Sequence, residues 1–410
     1  MKFLTKEELS ATLLVLFDQA VYSGTNFLLT LFLAQKLDIR NFGLFSTIVL
    51  ITYLIMSITN ALIIQPFQVS IGKISKKKEY YVSLFLGLVA LLSLFMFLVK
   101  LLVLFLPKEN LYVLYTNPFI CFVFGYLFQD FFRKVFLAIA NIKTVIIIDF
   151  LFLVIIFIGF YISRSNITLY NSLLILGLAN IISSIPGVYF LIKNYKKPFS
   201  WKLFLGNHII QGKWLFSVAI LQWSSSNFFV LISGVYLGIE ALGALRLVQS
   251  FFGIINVVLQ TVENYFLPKV AISYNENIAK AKKYLIEITV YGSILFGILL
   301  TILFVFSERI IVLAGGIQYK DYAYVVKLIT VLYFFIFLSY PVRIAIRVLV
   351  LNKIFFYGYL FSFITSLLTF HFLLKYASLY GAVTGLILNQ IIMIFYWQNQ
   401  LKKNNFLLWK

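Results

Sequence analysis

Charged residues are scarce in this chain: Lys, Arg, Asp and Glu make up 12% of its 410 residues, about half their share in an average soluble protein. Hydrophobic residues make up 62%, and the aromatic load is large, with 45 Phe and 26 Tyr. A chain of this composition cannot bury its apolar surface in a water-soluble core. The sequence therefore predicts an integral membrane protein.

Cysteine is nearly absent. The single Cys121 excludes an internal disulfide, and its place inside an apolar run predicts a packing role. We find no Cys and His cluster, no glycine-rich phosphate loop and no nucleophile elbow, so no metal site and no cofactor are expected. A cleavage site is also missing behind the first apolar run, which predicts that this run is kept as a helix.

Long loops are missing as well, because apolar runs follow one another with only short polar segments between them. Each run approaches the length of about 20 residues that a membrane-spanning helix needs, and none alternates as a barrel strand does. The sequence predicts an all-α polytopic membrane protein with twelve transmembrane helices, at residues 12–34, 42–65, 82–106, 115–138, 144–162, 171–192, 214–236, 244–267, 286–306, 327–350, 354–374 and 380–398.

Basic residues dominate the charge, giving a formal net charge of +20. They lie in short clusters between the apolar runs, and most fall in alternate segments on one side of the predicted membrane. The positive-inside rule then places both termini in the cytoplasm. This pattern explains the charge without a nucleic-acid partner, and none is expected.

Short matches recur in the same order in the two halves of the chain, at a spacing that drifts between 200 and 202 residues. Six predicted helices return the chain to its starting side, so the two repeats share one orientation, and a substrate site is expected between them. The predicted lobes are residues 1–195 and 214–410, joined by a cytoplasmic linker at 196–213. The matches pair SGTNF (23–27) with SSSNF (224–228), LDIRNFG (37–43) with LGIEALG (237–243), and Pro66 with Pro268.

Polar side chains form stripes on the helices that the repeat relates. At 100° per residue, Asp18 and Asn26 share a face of the first helix, and a helix facing lipid should not carry such a face. One interpretation is a water-filled cavity, and the other is hydrogen bonding that joins helices. The candidate cavity and coupling residues are Asp18, Asn26, Asn60, Asp130, Asp149, Gln222, Gln249, Asn256, Gln260 and Glu263.

Arginines occupy matching positions near the cytoplasmic ends of the fourth and tenth helices. Arg133 corresponds to Arg343 at an offset of 210 residues, and Arg347 follows one turn later. Snorkelling to the interface is one interpretation. Asp130 could pair with Arg133 three residues on, and Asp149 could be a counter-ion for Arg133 or a proton site. His208 falls in the predicted linker and is assigned no role.

The topology resembles that of the MOP (multidrug/oligosaccharidyl-lipid/polysaccharide) exporter superfamily. Within it, three stretches resemble Wzx-type polysaccharide flippases: DQAVYSGTNF (18–27), FGLF (42–45) and QDFFRK (129–134). This resemblance implies two lobes around a V-shaped cavity that opens alternately to each side. It implies a bacterial inner-membrane protein that moves an undecaprenyl-diphosphate-linked oligosaccharide to the outer leaflet, with membrane lipids, a polysaccharide polymerase and glycosyltransferases as partners.

With such a substrate, the arginines acquire a role. A guanidinium holds phosphate oxygens by paired hydrogen bonds, so Arg133, Arg343 and Arg347, together with Arg246, are predicted to bind the diphosphate. No nucleotide site is evident, so the energy should come from an ion gradient, with H⁺ or Na⁺ as the coupling ion, or from consumption of the product. The alternatives are an ion-coupled multidrug exporter, a lipid II flippase, which would carry arginines in its first two helices, and a membrane transferase.

Overall fold

The computed structural model describes residues 6–70, 77–105, 111–194 and 201–408. These ranges are almost wholly helical and contain no β-strand. The protein is an all-α polytopic membrane protein, as the apolar runs predict. Its helices are α1 (Lys6–Lys36), α2 (Ile39–Thr59), α3 (Gln65–Ser70), α4 (Lys77–Leu104), α5 (Leu111–Ala138), α6 (Ile142–Ile162), α7 (Leu169–Ser183), α8 (Ile185–Lys193), α9 (Trp201–Tyr236), α10 (Ile239–Glu276), α11 (Ile278–Val305), α12 (Ser307–Gly315), α13 (Ala323–Val348) and α14 (Asn352–Lys403).

Nine helical stretches of the described chain are long and apolar enough to cross a membrane. One of them, α14, contains both of the last two predicted helices, which meet at a break where Ser378 has φ 48°. The first and fourth predicted helices are present as α1 and α5, which bury Asp18 and Arg133 respectively. All twelve predicted helices therefore correspond to helices of the described residues, and residue 106, the last of the third predicted helix, lies outside those residues.

The second predicted helix is irregular near its end. Between α2 and α3 lies a π-helical turn, Asn60–Ile64, in which the backbone N–H of Gln65 donates to the carbonyl of Asn60. Pro66 accounts for the irregularity, because its ring has no N–H and crowds the carbonyl four residues earlier, that of Leu62. The wider π turn relieves this conflict without ending the helix.

Contacts divide the chain into two compact units. Unit 1 comprises Met1–Leu28 and Ile48–Ile220, and unit 2 comprises Leu29–Thr47 and Leu221–Lys410. These bounds differ from the predicted lobes, since residues 29–47 belong with unit 2. Residues 201–213 of the predicted linker form the first turns of α9, and residues 196–200 lie outside the described residues.

Two repeat-equivalent glycines explain why residues 29–47 belong to unit 2. A methyl group on Gly43 would lie 2.2 Å from the carbonyl oxygen of Ile239, and one on Gly243 would lie 2.9 Å from the Cα of Gly43. The helix backbones can approach this closely only because neither position has a side chain. Gln318 adds hydrogen bonds to the carbonyls of Ala34 (3.0 Å) and Leu37 (3.3 Å).

In unit 1, α5 packs tightly against α7. A methyl group on Gly125 would lie 2.3 Å from the carbonyl oxygen of Gly177, so this crossing also requires glycine. Buried phenylalanines, including Phe132 and Phe136, fill the core around α5. The same helix carries the charged residues Asp130, Arg133 and Lys134. Asp130 and Lys134 pair with each other within α5, and the other partners come from α1, α6 and the π turn.

Candidate functional site

Unit 1 contains a buried cluster of two acids and one arginine, here called the acidic cluster: Asp18, Arg133 and Asp149. Arg133 donates from Nη2 to Asp18 Oδ2 at 3.0 Å and from Nε to Asp149 Oδ2 at 2.9 Å. Asp18 is 2% exposed and Asp149 is 1% exposed. The ring of Tyr22 covers the guanidinium, with 3.6 Å between the Arg133 Cζ atom and the ring centroid.

The acidic cluster has an excess of one negative charge when both carboxylates are ionised. An uncompensated charge is costly in surroundings of low dielectric constant. Asp18 also has an oxygen, Oδ1, that is buried and has no hydrogen-bond partner among the described residues. One proton or one monovalent cation would balance this excess charge.

Beside this cluster, Lys134 forms a second charged group with Asp130 and Asn60. Its Nζ donates to Asp130 Oδ2 at 2.7 Å and to Asn60 Oδ1 at 2.9 Å. The pairing of Asp130 with Arg133 considered from sequence is thus replaced by pairing with Lys134, because Arg133 is already engaged by two other acids. The Lys134 side chain is 26% exposed and that of Arg133 is 7% exposed, so Lys134 is the more accessible cation.

Unit 2 contains a cluster of opposite character, here called the basic cluster: Glu263, Arg343 and Arg347. Arg347 Nη1 donates to Glu263 Oε1 at 2.6 Å, and Arg343 Nη2 lies 3.6 Å from Oε2. The side chains of Arg343 and Arg347 are 24% and 48% exposed, whereas that of Glu263 is 4% exposed. Two cations sharing one acid leave an excess of one positive charge.

The Arg343 guanidinium still has hydrogen-bonding capacity. Its Nε–H is buried and has no acceptor within the described part of the chain. The Tyr340 ring lies against the guanidinium, with 4.8 Å between Cζ and the ring centroid. A buried donor without an acceptor is unfavourable.

Most of the other residues predicted to line a cavity make local or interhelical hydrogen bonds. Arg246 Nη1 donates to Gln249 within α10 at 3.1 Å. Gln260 is exposed on the same helix. Three other side-chain amides are hydrogen-bond donors. Asn26 donates to the Tyr22 carbonyl at 2.9 Å, Gln222 to the Tyr359 hydroxyl at 3.3 Å, and Asn256 to the Tyr333 hydroxyl at 2.7 Å.

His208 has partners that the sequence analysis missed. Its Nδ1 lies 2.8 Å from the carbonyl oxygen of Leu62, and its Nε2 lies 2.6 Å from the hydroxyl of Tyr80. Burial lowers the pKa of His208 below its usual value, and the hydrogen bond to Leu62 partly offsets that shift. The available signal was Pro66, which deprives the Leu62 carbonyl of its usual helical partner.

A buried polar network in unit 2 was also missed. Ser225 and Ser362 share a hydrogen bond of 2.8 Å, Ser366 donates to Asn389 Oδ1 at 2.9 Å, and Asn389 Nδ2 donates to the Ser225 carbonyl at 3.1 Å. The network joins α9 to both halves of α14. Isolated Ser and Asn in apolar helices give no signal for such a network, because single residues of this kind are common in membrane helices.

No protein-family model matches the sequence, and no curated protein matches it. Solved structures do match over nearly the whole chain. One is an inward-facing multidrug resistance MATE family transporter of the MOP superfamily, with TM-score 0.71, 10% identity, and coverage of 94% of this chain and 95% of that one.

Two further structures widen the comparison. The lipid II flippase MurJ, in an inward closed conformation, gives TM-score 0.72 at 14% identity and covers 96% of this chain and 87% of that one. A MOP superfamily transporter from Pyrococcus furiosus, described as having a binding pocket of reversed polarity, gives TM-score 0.57 at 13% identity over 98% and 94%. The protein is thus a multi-pass membrane protein with the fold of the MOP superfamily.

Proposed function

We propose that this protein is a flippase that moves an undecaprenyl-diphosphate-linked oligosaccharide from the cytoplasmic to the outer leaflet of a bacterial inner membrane. The lipid tail of such a substrate can stay in the bilayer, but a diphosphate and several sugars cannot cross hydrocarbon unaided. The observation that carries the proposal is the basic cluster, which keeps an excess positive charge and an unpartnered buried donor inside a membrane protein.

The basic cluster has the chemistry that a diphosphate requires. Glu263 is almost fully buried and uses both oxygens on the two guanidinium groups, whereas the arginines remain partly exposed. Each guanidinium has five N–H donors, so several remain for phosphate oxygens. Arg343 and Arg347 are therefore proposed as the diphosphate contacts of unit 2. The capture of the headgroup on the cytoplasmic side, with both termini cytoplasmic, is part of the same proposal.

Arg133 is not proposed as a diphosphate contact. Both of its carboxylate partners hold it in the described conformation, so a diphosphate would have to displace Asp18 or Asp149 to reach it. We propose that the acidic cluster couples transport to H⁺ or Na⁺. A bound proton or cation would neutralise the excess charge and weaken the attraction that holds Asp18 of α1 to Arg133 of α5.

An ion-coupled multidrug exporter is the second candidate, and the acidic cluster is the observation that favours it. A buried site with an excess negative charge also suits a cationic drug competing with protons. The two functions differ in the unit that carries substrate: the basic cluster for a diphosphate lipid, the acidic cluster for a cation. A lipid II flippase would use the same diphosphate chemistry and would differ in the sugars that it accepts.

Binding measurements on the purified protein test the proposal. We expect Arg343→Ala and Arg347→Ala each to weaken binding of undecaprenyl diphosphate about tenfold to a hundredfold, the loss of one charge-assisted hydrogen bond. Arg343→Lys should restore binding only in part, since an ammonium cannot form the paired bonds of a guanidinium. Lys280→Ala, which removes an exposed cation paired with Glu276 in the same unit, is the matched control.

Unchanged binding in the Arg343→Ala/Arg347→Ala double variant, with folding shown by thermal unfolding, would overturn the flippase proposal. Tight binding of a lipophilic cation that depends on Asp18 and Asp149 would instead support the exporter. Reconstituted vesicles then separate the candidates directly, because only a flippase moves a labelled diphosphate lipid between leaflets.

A further inference from the structure

The carbonyl group of Leu62 cannot make the usual hydrogen bond of an α-helix. Its partner would be the backbone N–H of residue 66, four positions on, and Pro66 has none. The chain forms the π turn Asn60–Ile64 at this place. The α-helical donor to this carbonyl is therefore missing.

His208 of α9 supplies the missing donor. A carbonyl oxygen can only accept, so the 2.8 Å contact between Nδ1 and Leu62 O fixes the proton on Nδ1. In the neutral ring, Nε2 then accepts from the hydroxyl of Tyr80 at 2.6 Å. The imidazole also stacks on Phe204, with 4.2 Å between ring centroids.

Gly212 completes the fit of α9 to the π turn. A methyl group on Gly212 would lie 3.1 Å from Leu62 Cδ2 and 3.5 Å from the carbonyl oxygen of Ala61. The first turns of α9 are thus shaped to this part of unit 1 by one hydrogen-bonding histidine and one glycine, both within the range that the sequence analysis interpreted as a linker.

The same π turn also binds Lys134 of α5. Asn60 is its first residue, and Asn60 Oδ1 accepts from Lys134 Nζ at 2.9 Å. His208 and Lys134 therefore bind the turn at two positions only two residues apart in sequence. A return of the turn to α-helical bonding would shift its hydrogen bonds by one residue. Asn60 would then rotate by about 100° relative to the helix beyond the turn.

We propose that His208 is a positioning residue: it fixes the π turn in register and, through Asn60, holds the Lys134 ammonium in place beside Asp130. A part for Lys134 in transport rests on the proposed function, but the link from His208 to Lys134 does not. The first turns of α9 are, in this proposal, part of the transport machinery of unit 1.

Acylation of the Lys134 amine tests this link in the substrate-free protein. Purified variants are treated briefly with an acetylating reagent, and modification of Lys134 is measured by mass spectrometry relative to the exposed Lys143 of the same unit. His208→Leu removes the donor and should raise the relative rate about fivefold, the effect of losing one neutral hydrogen bond. His208→Asn, whose amide can replace Nδ1, should restore a rate close to that of the unmodified sequence.

Two further variants separate positioning from a general loss of stability. Tyr80→Phe removes the bond to Nε2 while keeping the Nδ1 bond to Leu62, and should leave the Lys134 rate nearly unchanged. Pro66→Ala restores the backbone N–H, so the Leu62 carbonyl no longer needs His208 and the turn can become α-helical. The Lys134 rate should then change even with His208 present, and adding His208→Leu should have no further effect.

An unchanged Lys134 rate in both His208→Leu and Pro66→Ala would overturn the proposal. The proposal would also be overturned if His208→Leu changed the Lys134 acylation rate equally in the unmodified sequence and in Pro66→Ala. Should His208→Leu fail to fold, Pro66→Ala alone and in combination still decides the question. Because no substrate is present, these results stand even if binding of the diphosphate lipid later fails, which would overturn the proposed function alone.

Discussion

Arg133 of α5 and Asp149 of α6 form a buried ion pair, with Nε 2.9 Å from Oδ2. Asp18 of α1 meets the same guanidinium from a third helix. One cation therefore joins three helices of unit 1. Each charge in this group needs the others, because a single buried charge without its partner is strongly destabilising.

Loss of the arginine should be the most damaging change in the acidic cluster. Arg133→Ala leaves two buried carboxylates facing each other, and we expect it to lower the free energy of unfolding by about 3–5 kcal/mol. Asp149→Asn removes the excess negative charge and should cost clearly less. Thermal unfolding in detergent measures both, and equal stability of the two variants would contradict this ranking.

Transport should depend on the acidic cluster through its charge. Asp149→Asn leaves Asp18 and Arg133 as a neutral pair that no longer needs a proton or cation. We therefore expect this variant to lose the response of transport to an imposed pH or Na⁺ gradient while still binding substrate. Flipping in vesicles with and without the gradient checks this, and a normal gradient response in both Asp149→Asn and Asp18→Asn would exclude the cluster as the coupling site.

Glu263 should limit how strongly the basic cluster holds an anion. Glu263→Gln leaves both guanidinium groups without their acid, so the affinity for undecaprenyl diphosphate should rise about tenfold, or about 1.4 kcal/mol. Turnover should fall, since tighter binding slows release. Glu276→Gln, whose exposed carboxylate pairs only with Lys280 in the contacts described, serves as the control; a similar gain in that variant would point to net charge instead of a specific site.

His208 should make the stability of unit 1 sensitive to acid. Burial lowers its pKa in the folded state, so the unfolded state binds more protons below the ordinary value of about 6.5. The stabilisation is complete above that value and is lost as the pH falls from it towards the lowered pKa. The melting temperature should therefore fall between pH 8 and pH 5.5, and His208→Asn should reduce this dependence; an identical dependence in both proteins would contradict it.

Gly43 should tolerate no side chain. In Gly43→Ala the new methyl group would meet the Ile239 carbonyl. We expect the free energy of unfolding to fall by about 1–3 kcal/mol, as is typical of overpacking. Gly253→Ala is the matched control, because nothing lies within 4 Å of its added methyl group and alanine favours a helix. Thermal unfolding compares them, and equal melting temperatures would mean that the backbones can separate at no cost.

The helices were predictable because bilayer thickness and apolar composition fix their number and approximate length. The partners of individual charges were not. Asp130 lies three residues from Arg133 and four from Lys134, and both spacings permit contact on a helix. The choice between them is made by Asp18 and Asp149, which are distant in sequence.

The first turns of α9 also could not be predicted from the local sequence. Residues 201–213 are more polar than a membrane span, and for that reason they were interpreted as a linker. Within these turns His208 contacts Leu62 and Tyr80, which lie more than a hundred residues away in sequence. Pro66 signalled an irregular helix, but no rule of local sequence connects it to a histidine in a later segment.

The contact between Gly43 and Gly243 also has an evolutionary consequence. Positions made equivalent by an internal repeat normally occupy corresponding places in separate surroundings, yet these two touch. A surface that meets its own copy is the isologous contact of a twofold-symmetric dimer. The predicted repeat together with this contact is what the fusion of two genes for such a dimer would produce. Among descendants, a larger residue at one position should be accompanied by compensating change near the other, across 200 residues of sequence.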